Sequence, residues 1–181
     1  MGGNEKAISK GKILGKYLLR SEKMIFVTVG TQDKQFPRLL NAIEDLDLHE
    51  EIVIQSGNTE FESNKINTKV YKFLPQNEFL NYMKKANQIV THAGVGTIIQ
   101  GLKLNKKMIV APRLKKYGEH VNDHQLQILD TFSKAGYILP LYDLGELKGM
   151  LETEFEPKEF KSNNTQFNEK LHGEIIRLTE N

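Results

Sequence analysis

The sequence predicts an α/β fold built on a doubly wound, mostly parallel sheet. Short apolar runs of strand length, such as residues 25–29 and 107–111, recur along the chain, and amphipathic helical patterns separate most of them. This alternation is typical of βαβ units, whose right-handed crossovers place helices on both faces of one sheet. The length of 181 residues corresponds to one such domain with short appendages.

Six strands are predicted, and each ends where glycine, proline or a polar residue follows. They cover residues 25–29, 51–55, 69–74, 88–91, 107–111 and 137–139. Apolar residues spaced three or four apart predict the helices. The helices lie within residues 36–46, 77–86, 97–102, 122–136, 144–151 and 165–181, with Asn77 expected to cap the second and Asn122 or Asp123 the fourth.

The first 23 residues are predicted to form a basic N-terminal extension. They hold six lysine or arginine residues against two glutamates, a net charge of +4, whereas the other 158 residues carry 19 basic and 21 acidic residues, a net charge of −2. The body of the protein is therefore not a basic nucleic-acid binder, and we expect no nucleic acid among its partners. Three interpretations of the extension stay open: a mobile or added segment, a partner-docking helix, or an arm that binds anionic lipid.

The composition excludes several classes of chemistry. The chain has no cysteine, which rules out a disulfide scaffold, thiol catalysis and cysteine-bound zinc or iron–sulfur sites. No apolar run approaches the ~20 residues of a membrane-spanning helix. The basic N-terminus lacks the apolar stretch and the cleavage site of a signal peptide. These features favour a cytoplasmic protein.

A glycine-rich turn between the fourth strand and the next helix is the first candidate binding site. The turn consists of His92, Ala93, Gly94, Val95, Gly96 and Thr97. Its glycines allow the backbone to approach a ligand closely, and the new helix presents free N–H groups and a positive dipole end to a phosphate. A connection that binds nothing is the alternative. A dinucleotide fingerprint is excluded because Ile99 stands where a third glycine or alanine is needed.

Two further candidates are expected at the same edge of the sheet. Gly30 and Thr31 end the first strand in a second turn of small residues, and Gln100 lies one helical turn beyond Gly96. The carboxyl ends of parallel strands meet at one edge, where ligands bind. We therefore include these residues among the candidates for substrate binding, the alternatives being a plain turn and a surface glutamine.

The segment from Pro112 to Gln125 is dense in hydrogen-bonding side chains. Its candidate binding residues are Arg113, Tyr117, His120, Asn122, Asp123, His124 and Gln125. The spacing of His120 and His124 raises the question of a metal site, but the zinc-protease pattern needs a glutamate where Val121 stands. A hydroxyl-rich ligand such as a sugar fits these amides, carboxylates and imidazoles better, so no metal is predicted. A solvated loop followed by a capped helix is the alternative.

Three segments together resemble the C-terminal half of family 28 glycosyltransferases. They read MIFVTVGT at residues 24–31, THAGVGTII at 91–99 and APRLKKYGEHVNDHQ at 111–125, and the resemblance extends over about residues 24–155. Within that family they are most similar to the PssE-like or EpsF-like subunits of bacterial polysaccharide synthesis. The resemblance implies one half of a GT-B fold: a single Rossmann-like domain over residues 24–160 that binds a nucleotide sugar, followed by a C-terminal helix over residues 161–181.

The resemblance also implies roles for the candidate residues. A UDP-sugar donor would place its uracil near Phe73 and Leu74, and its diphosphate at the two glycine turns. The sugar would lie near His124 and Gln125, which the resemblance makes the sugar-positioning, catalytic residues. Many relatives have glutamate where Gln100 stands, and that glutamate holds the ribose hydroxyls. Such enzymes need no metal and no cofactor.

A complete GT-B enzyme has a second Rossmann-like domain, which binds the acceptor and usually supplies the general base. The chain has no room for that domain. The resemblance therefore implies the donor-binding catalytic subunit of an inverting glycosyltransferase of exopolysaccharide or capsule synthesis. Its expected partner is a PssD-like membrane-associated subunit, which would hold this chain at the inner face of the membrane, and its expected acceptor is a lipid diphosphate-linked sugar. A non-catalytic nucleotide- or sugar-binding regulatory module is the alternative.

Overall fold

Six parallel strands form a single sheet. The computed structural model describes residues 23–161, residue 169 and residues 171–173. The strands are β1 (Met24–Thr28), β2 (Glu51–Gln55), β3 (Thr68–Tyr71), β4 (Gln88–His92), β5 (Lys107–Ala111) and β6 (Leu139–Pro140). Their order across the sheet is β3-β2-β1-β4-β5-β6, and every neighbouring pair is parallel. The predicted doubly wound parallel sheet is confirmed, and its topological switch point lies between β1 and β4.

Helices cover both faces of the sheet. In the described part of the chain they are α1 (Pro37–Glu44), α2 (Gln76–Lys85), α3 (Val95–Lys103), α4 (His124–Lys134) and α5 (Leu147–Glu152), with short 3-10 turns at Lys115–Tyr117 and Leu144–Glu146. Apolar side chains of α2, α3 and α4 pack on one face, and those of α1 and α5 pack on the other. The connection between β2 and β3, residues 56–67, contains no helix.

Each face of the sheet has its own apolar core. Successive residues of β1 point to opposite faces, so Phe26 belongs to the core under α2, α3 and α4, whereas Ile25 and Val27 belong to the core under α1 and α5. All three side chains are almost fully buried. Burial on both faces explains why the central strands read as continuous apolar runs rather than as alternating polar and apolar residues.

Four strands differ from the prediction: β1 and β4 by one residue at their ends, and β3 and β6 by more. β3 ends at Tyr71, and beyond it the Gln55 side chain accepts the hydrogen bond of the Leu74 N–H at 3.1 Å. β6 consists of Leu139–Pro140 and does not include Tyr137. The N–H of Tyr137 donates to the carbonyl of Phe132 at 3.1 Å, which ends α4 and keeps this residue out of the sheet.

The predicted helix cap is wrong for α2, and for α4 it is correct in position but not in hydrogen bonding. Pro75, and not Asn77, occupies the N-cap position of α2, which begins at Gln76 and has no side-chain cap. Asp123 is the N-cap residue of α4 by position, but its carboxylate accepts a hydrogen bond from the N–H of Lys115 at 2.7 Å instead of capping the helix. Its side chain therefore fixes the preceding loop.

The ends of the chain are described only in part. Of the predicted terminal helix over residues 165–181, residue 169 and residues 171–173 are helical, and Leu171 is buried in the core that contains Phe132. The rest of that helix and residues 1–22 of the predicted extension lie outside the described residues. Within the described ranges, no helix has the length and apolarity needed to cross a bilayer.

Replacement of Phe26 by alanine should destabilise the domain strongly. The Phe26 ring is fully buried and contacts the rings of Phe79 and Tyr82 at centroid distances of 5.3 and 6.0 Å. We expect Phe26→Ala to lower the free energy of unfolding by about 3–5 kcal/mol, measured by urea denaturation. Ile66 is fully exposed, so the control Ile66→Ala should change it by less than about 0.5 kcal/mol. Equal effects of the two substitutions would contradict the assigned core.

Candidate functional site

A cavity opens at the switch point, above the carboxyl ends of β1 and β4. Its volume is about 330 Å³. This is the place where doubly wound sheets bind ligands, because the loops diverge to opposite faces there. The cavity is lined by Thr28, Gly30, Thr31, Gln55, Leu74, Gln76, Phe79, His92, Gly94, Gly96 and Thr97. A larger cavity of about 830 Å³ lies beside the edge strand β3, away from the switch point.

The floor of the switch-point cavity contains a buried imidazole between two glycines. A Cβ atom added to Gly30 would lie 2.5 Å from Cε1 of His92, and one added to Gly94 would lie 2.2 Å from its Nε2. Gly30 also has a φ of 79°, which disfavours any residue with a side chain. These two positions therefore need glycine to accommodate His92, whatever a ligand requires of them.

Burial and nearby positive charge keep His92 neutral. Its pKa is lowered from 6.5 to about 4, mainly by loss of water on burial and also by the charges of Arg113 and His120, while a hydrogen bond to the backbone of Thr28 opposes the shift. The ring Nδ1 lies 3.3 Å from the Thr91 hydroxyl. At neutral pH the ring is therefore an uncharged packing element with hydrogen-bonding capacity.

The start of α3 is open to the cavity. Gly94 is its N-cap residue and provides no side-chain cap, and the first helical hydrogen bond joins the N–H of Ile98 to the carbonyl of Gly94 at 3.0 Å. The N–H groups of Val95, Gly96 and Thr97 precede this bond, so the helix itself offers them no acceptor. A Cβ atom at Gly96 would meet no atom within 4 Å. Of the glycines in this turn, Gly96 has the free space that an anionic ligand needs.

The third side of the cavity is held by a buried amide. Gln55 is 4% exposed, and its Oε1 accepts a hydrogen bond from the N–H of Leu74 at 3.1 Å while its Nε2 faces the Thr28 hydroxyl at 3.4 Å. This amide fixes the turn after β3, where Phe73 is 48% exposed beside the cavity-lining Leu74. The sequence analysis missed Gln55 and Thr28, although both are polar residues that end otherwise apolar strands.

Arg113 lies inside the protein and does not line the cavity. It is 1% exposed, and its guanidinium donates to the backbone carbonyls of Lys34 at 2.7 Å, Gln35 at 3.1 Å and Val29 at 2.6 Å. Burial lowers the pKa of Arg113 to about 10, which leaves the group charged at neutral pH. In this structure Arg113 holds the loop of residues 29–36, a role that the sequence analysis did not expect.

The remainder of the segment 112–125 forms the rim on the other side of the switch point. Gln125 is buried, and its Oε1 accepts a hydrogen bond from the backbone N–H of Arg113 at 3.0 Å. The Asn122 side chain accepts one from the N–H of His124 at 3.3 Å. His120, Asn122 and His124 are half-buried, whereas Tyr117 is 52% exposed.

The structure brings together only part of the predicted site. The predicted residues that line the cavity are Gly30, Thr31, Leu74, His92, Gly94, Gly96 and Thr97. Those outside the lining are Phe73, Ala93, Val95, Gln100, Arg113, Tyr117, His120, Asn122, Asp123, His124 and Gln125. Contacts of either set with a substrate stay predictions. Among the described residues, no group of three or more His, Asp or Glu side chains is arranged to hold a metal ion. That the chemistry needs no metal stays a prediction.

The sheet order and the cavity at its switch point define one Rossmann-like half of a GT-B fold. Solved structures agree on the fold. The glycotransferase of kitacinnamycin superimposes with a TM-score of 0.57 and 22% identity, over 88% of this chain and 40% of that one. The NMR structure of ALG13 superimposes with a TM-score of 0.55 and 20% identity, over 82% of this chain and 94% of that one.

The chain belongs to the glycosyltransferase family 28 C-terminal domain family, whose family model matches residues 24–176. A curated relative, the UDP-N-acetylglucosamine transferase subunit ALG13 of Candida albicans, is 33% identical over 94 residues, or 52% of this chain. The aligned region spans 30% of that relative. The family predicted from the three sequence segments is therefore confirmed.

The buried His92 should make the stability of the domain depend on pH. Because its pKa is about 4 in the folded chain and 6.5 when exposed, the unfolded chain takes up a proton first as the pH falls. Stability should therefore decrease from about pH 6.5 to about pH 4, by roughly 3 kcal/mol from this residue. The free energy of unfolding, measured by urea denaturation, should change less with pH across this range in His92→Asn than in the wild type. Ring resonances of His92 that titrate near pH 6.5 would disprove this assignment.

Proposed function

We propose that this chain is the donor-binding catalytic subunit of an inverting glycosyltransferase that uses a UDP-sugar. The main observation in support is the cavity at the switch point, where the uncapped start of α3 meets the open side of Gly96. Unpaired N–H groups and the positive end of a helix dipole suit a diphosphate. The same groups would stabilise the charge that develops on the departing UDP, which is the main catalytic demand in sugar transfer.

The two ends of the donor would lie on different loops. The nucleoside would occupy the side of the cavity near Leu74 and Phe73, a turn that the buried Gln55 holds in place. The sugar would project towards the rim that carries His124 and Gln125. This placement is supported by Arg113 of the rim segment, which donates to the carbonyl of Val29 directly after β1 at 2.6 Å and so holds the rim beside the switch point.

The reaction would be a single displacement at the anomeric carbon. The acceptor hydroxyl would attack on the face opposite the diphosphate, forming the new glycosidic bond as the bond to UDP breaks, with a base accepting the hydroxyl proton. Among the described residues, His92 is enclosed between glycines and unsuited to reach an acceptor. We assign the acceptor site and the base to a partner subunit.

The proposed partner is a PssD-like, membrane-associated subunit, and the proposed acceptor is a lipid diphosphate-linked sugar of exopolysaccharide or capsule synthesis. The described residues form one half of the GT-B cleft, and a curated relative is itself named a transferase subunit. Association with such a partner would bring this chain to the inner face of the membrane. These assignments rest on the resemblance to PssE-like subunits.

Substitution of Gly96 by valine tests the donor site. The side chain would fill the space beside the free N–H groups of α3 and meet no protein atom at its Cβ. We expect UDP affinity, measured by calorimetry, to fall at least about tenfold, while the free energy of unfolding changes by less than about 1 kcal/mol. Gly149→Val is the matched control, since Gly149 is also helical and open. Wild-type UDP affinity in Gly96→Val would refute the placement of the diphosphate.

Sugar transfer should require the second subunit. The purified chain is expected to bind UDP weakly and to transfer no sugar, whereas co-expression with a PssD-like subunit should give transfer to a lipid-linked acceptor. The physical reason is that displacement needs an aligned acceptor and a base, both assigned to the partner. The assay measures labelled sugar in the lipid fraction, with Gly96→Val in the same complex as the negative control. Full turnover by the chain alone would disprove partner dependence.

A further inference from the structure

An ion pair outside the cavity joins α1 to the rim segment 112–125. The Nε of Arg38 donates to Oε1 of Glu119 at 2.6 Å, and its Nη2 donates to Oε2 at 2.7 Å. Oε2 also accepts a hydrogen bond from the N–H of Leu114 at 3.0 Å. The Glu119 side chain is only 2% exposed, whereas that of Arg38 is 27% exposed, so the carboxylate is shielded from water and the bidentate geometry fixes the direction of the pair.

Aromatic rings hold the guanidinium of Arg38 in place. Its Cζ lies 4.0 Å from the ring centroid of Tyr117 and 5.4 Å from that of Phe36. Stacking and bidentate donation together require a planar guanidinium, which lysine lacks. Arg38 therefore sets both the distance and the orientation between the start of α1 and the rim.

The loop of residues 29–36 and the rim segment are tied together twice. Arg113 donates from the rim to the carbonyls of Val29, Lys34 and Gln35 within that loop. The ion pair provides the second tie, directly after the loop, in α1. The loop carries Gly30 and Thr31 of the cavity, so both ties act between the proposed diphosphate side and the proposed sugar side of the site.

We propose that Arg38 and Glu119 are positioning residues for sugar transfer, whose ion pair fixes the rim segment relative to the turn at Gly30 and Thr31. The inference rests on the proposed function and adds two residues that do not line the cavity. A buried ion pair contributes little net stability, because desolvation offsets its attraction. A displacement of about 1 Å between the groups that hold and orient a substrate lowers the rate by about 100-fold.

The first test measures the coupling of the two segments without any substrate. Amide hydrogen exchange of the full chain is compared for wild type, Arg38→Met, Glu119→Gln and the double variant that carries both substitutions. We expect residues 31–36 and 114–122 to exchange together, about tenfold faster, in both single variants and no faster in the double variant, because each single substitution already breaks the pair. The control Glu51→Gln removes the exposed ion pair in which Oε1 of Glu51 lies 2.7 Å from Nζ of Lys69. This substitution should leave the exchange rates of both segments unchanged. The proposal would be overturned if the exchange rates stayed unchanged in the single variants, or if only one of the two segments exchanged faster.

The second test measures transfer in the complex with the partner subunit. We expect kcat to fall about 100-fold in the single variants, with KM for the UDP-sugar and the affinity for UDP changed less than about threefold, and the double variant to be no slower than the single ones. A parallel loss of UDP affinity, or losses of kcat that multiply in the double variant, would overturn the positioning role. If the wild-type complex transfers no sugar, the proposed function is wrong. The hydrogen-exchange test then decides by itself whether the Arg38–Glu119 pair couples the two segments.

Discussion

The packing of His92 at the switch point is the constraint on which the rest of the site depends. An imidazole at the end of a central strand fills the gap between β1 and β4, and the adjacent backbone can pass it only at glycine. The positive φ of Gly30 turns the chain away from the ring, and Gly94 becomes a helix N-cap without a side chain. One buried ring thus accounts for two glycines and for the uncapped start of α3.

This arrangement has an energetic cost that a ligand would offset. Neutral His92 must stay unprotonated in a buried place next to positive charge, and the first N–H groups of α3 have no capping side chain. Both features favour a ligand that brings negative charge and hydrogen-bond acceptors. The proposed diphosphate would supply both at the open helix start beside Gly96.

The two sides of the site are stabilised by different physics. The side near Leu74 depends on one buried amide, that of Gln55, within the apolar framework of the sheet. The rim segment depends on charged groups: Arg113 binds backbone carbonyls in the interior, and Glu119 pairs with Arg38. A polar rim over an apolar sheet can be held in one place only by such directed bonds, because apolar packing does not specify the position of a solvated loop.

Much of the fold could be predicted from the sequence, because it depends on local patterns. Apolar runs of strand length predicted all six strands with shifts of a few residues, and the small-residue turns predicted the edge of the sheet where the cavity lies. Three short segments, at residues 24–31, 91–99 and 111–125, were sufficient to predict the family. The predicted cap failed at Asn77, because Pro75 occupies the N-cap position of α2, whereas Asp123 holds its predicted N-cap position but its carboxylate accepts from the N–H of Lys115.

The sequence by itself determined the doubly wound parallel sheet, the family and the glycine turns at one edge, since these follow from periodicity and from residues close together in the chain. Only the tertiary structure decided what each of those residues does. Arg113 bonds to Val29 across 84 positions, and Arg38 bonds to Glu119 across 81. Gly94 is needed for a neighbouring ring, whereas Gly96 faces open space. Such distinctions depend on side-chain direction and on contacts between distant loops, which a linear pattern does not contain.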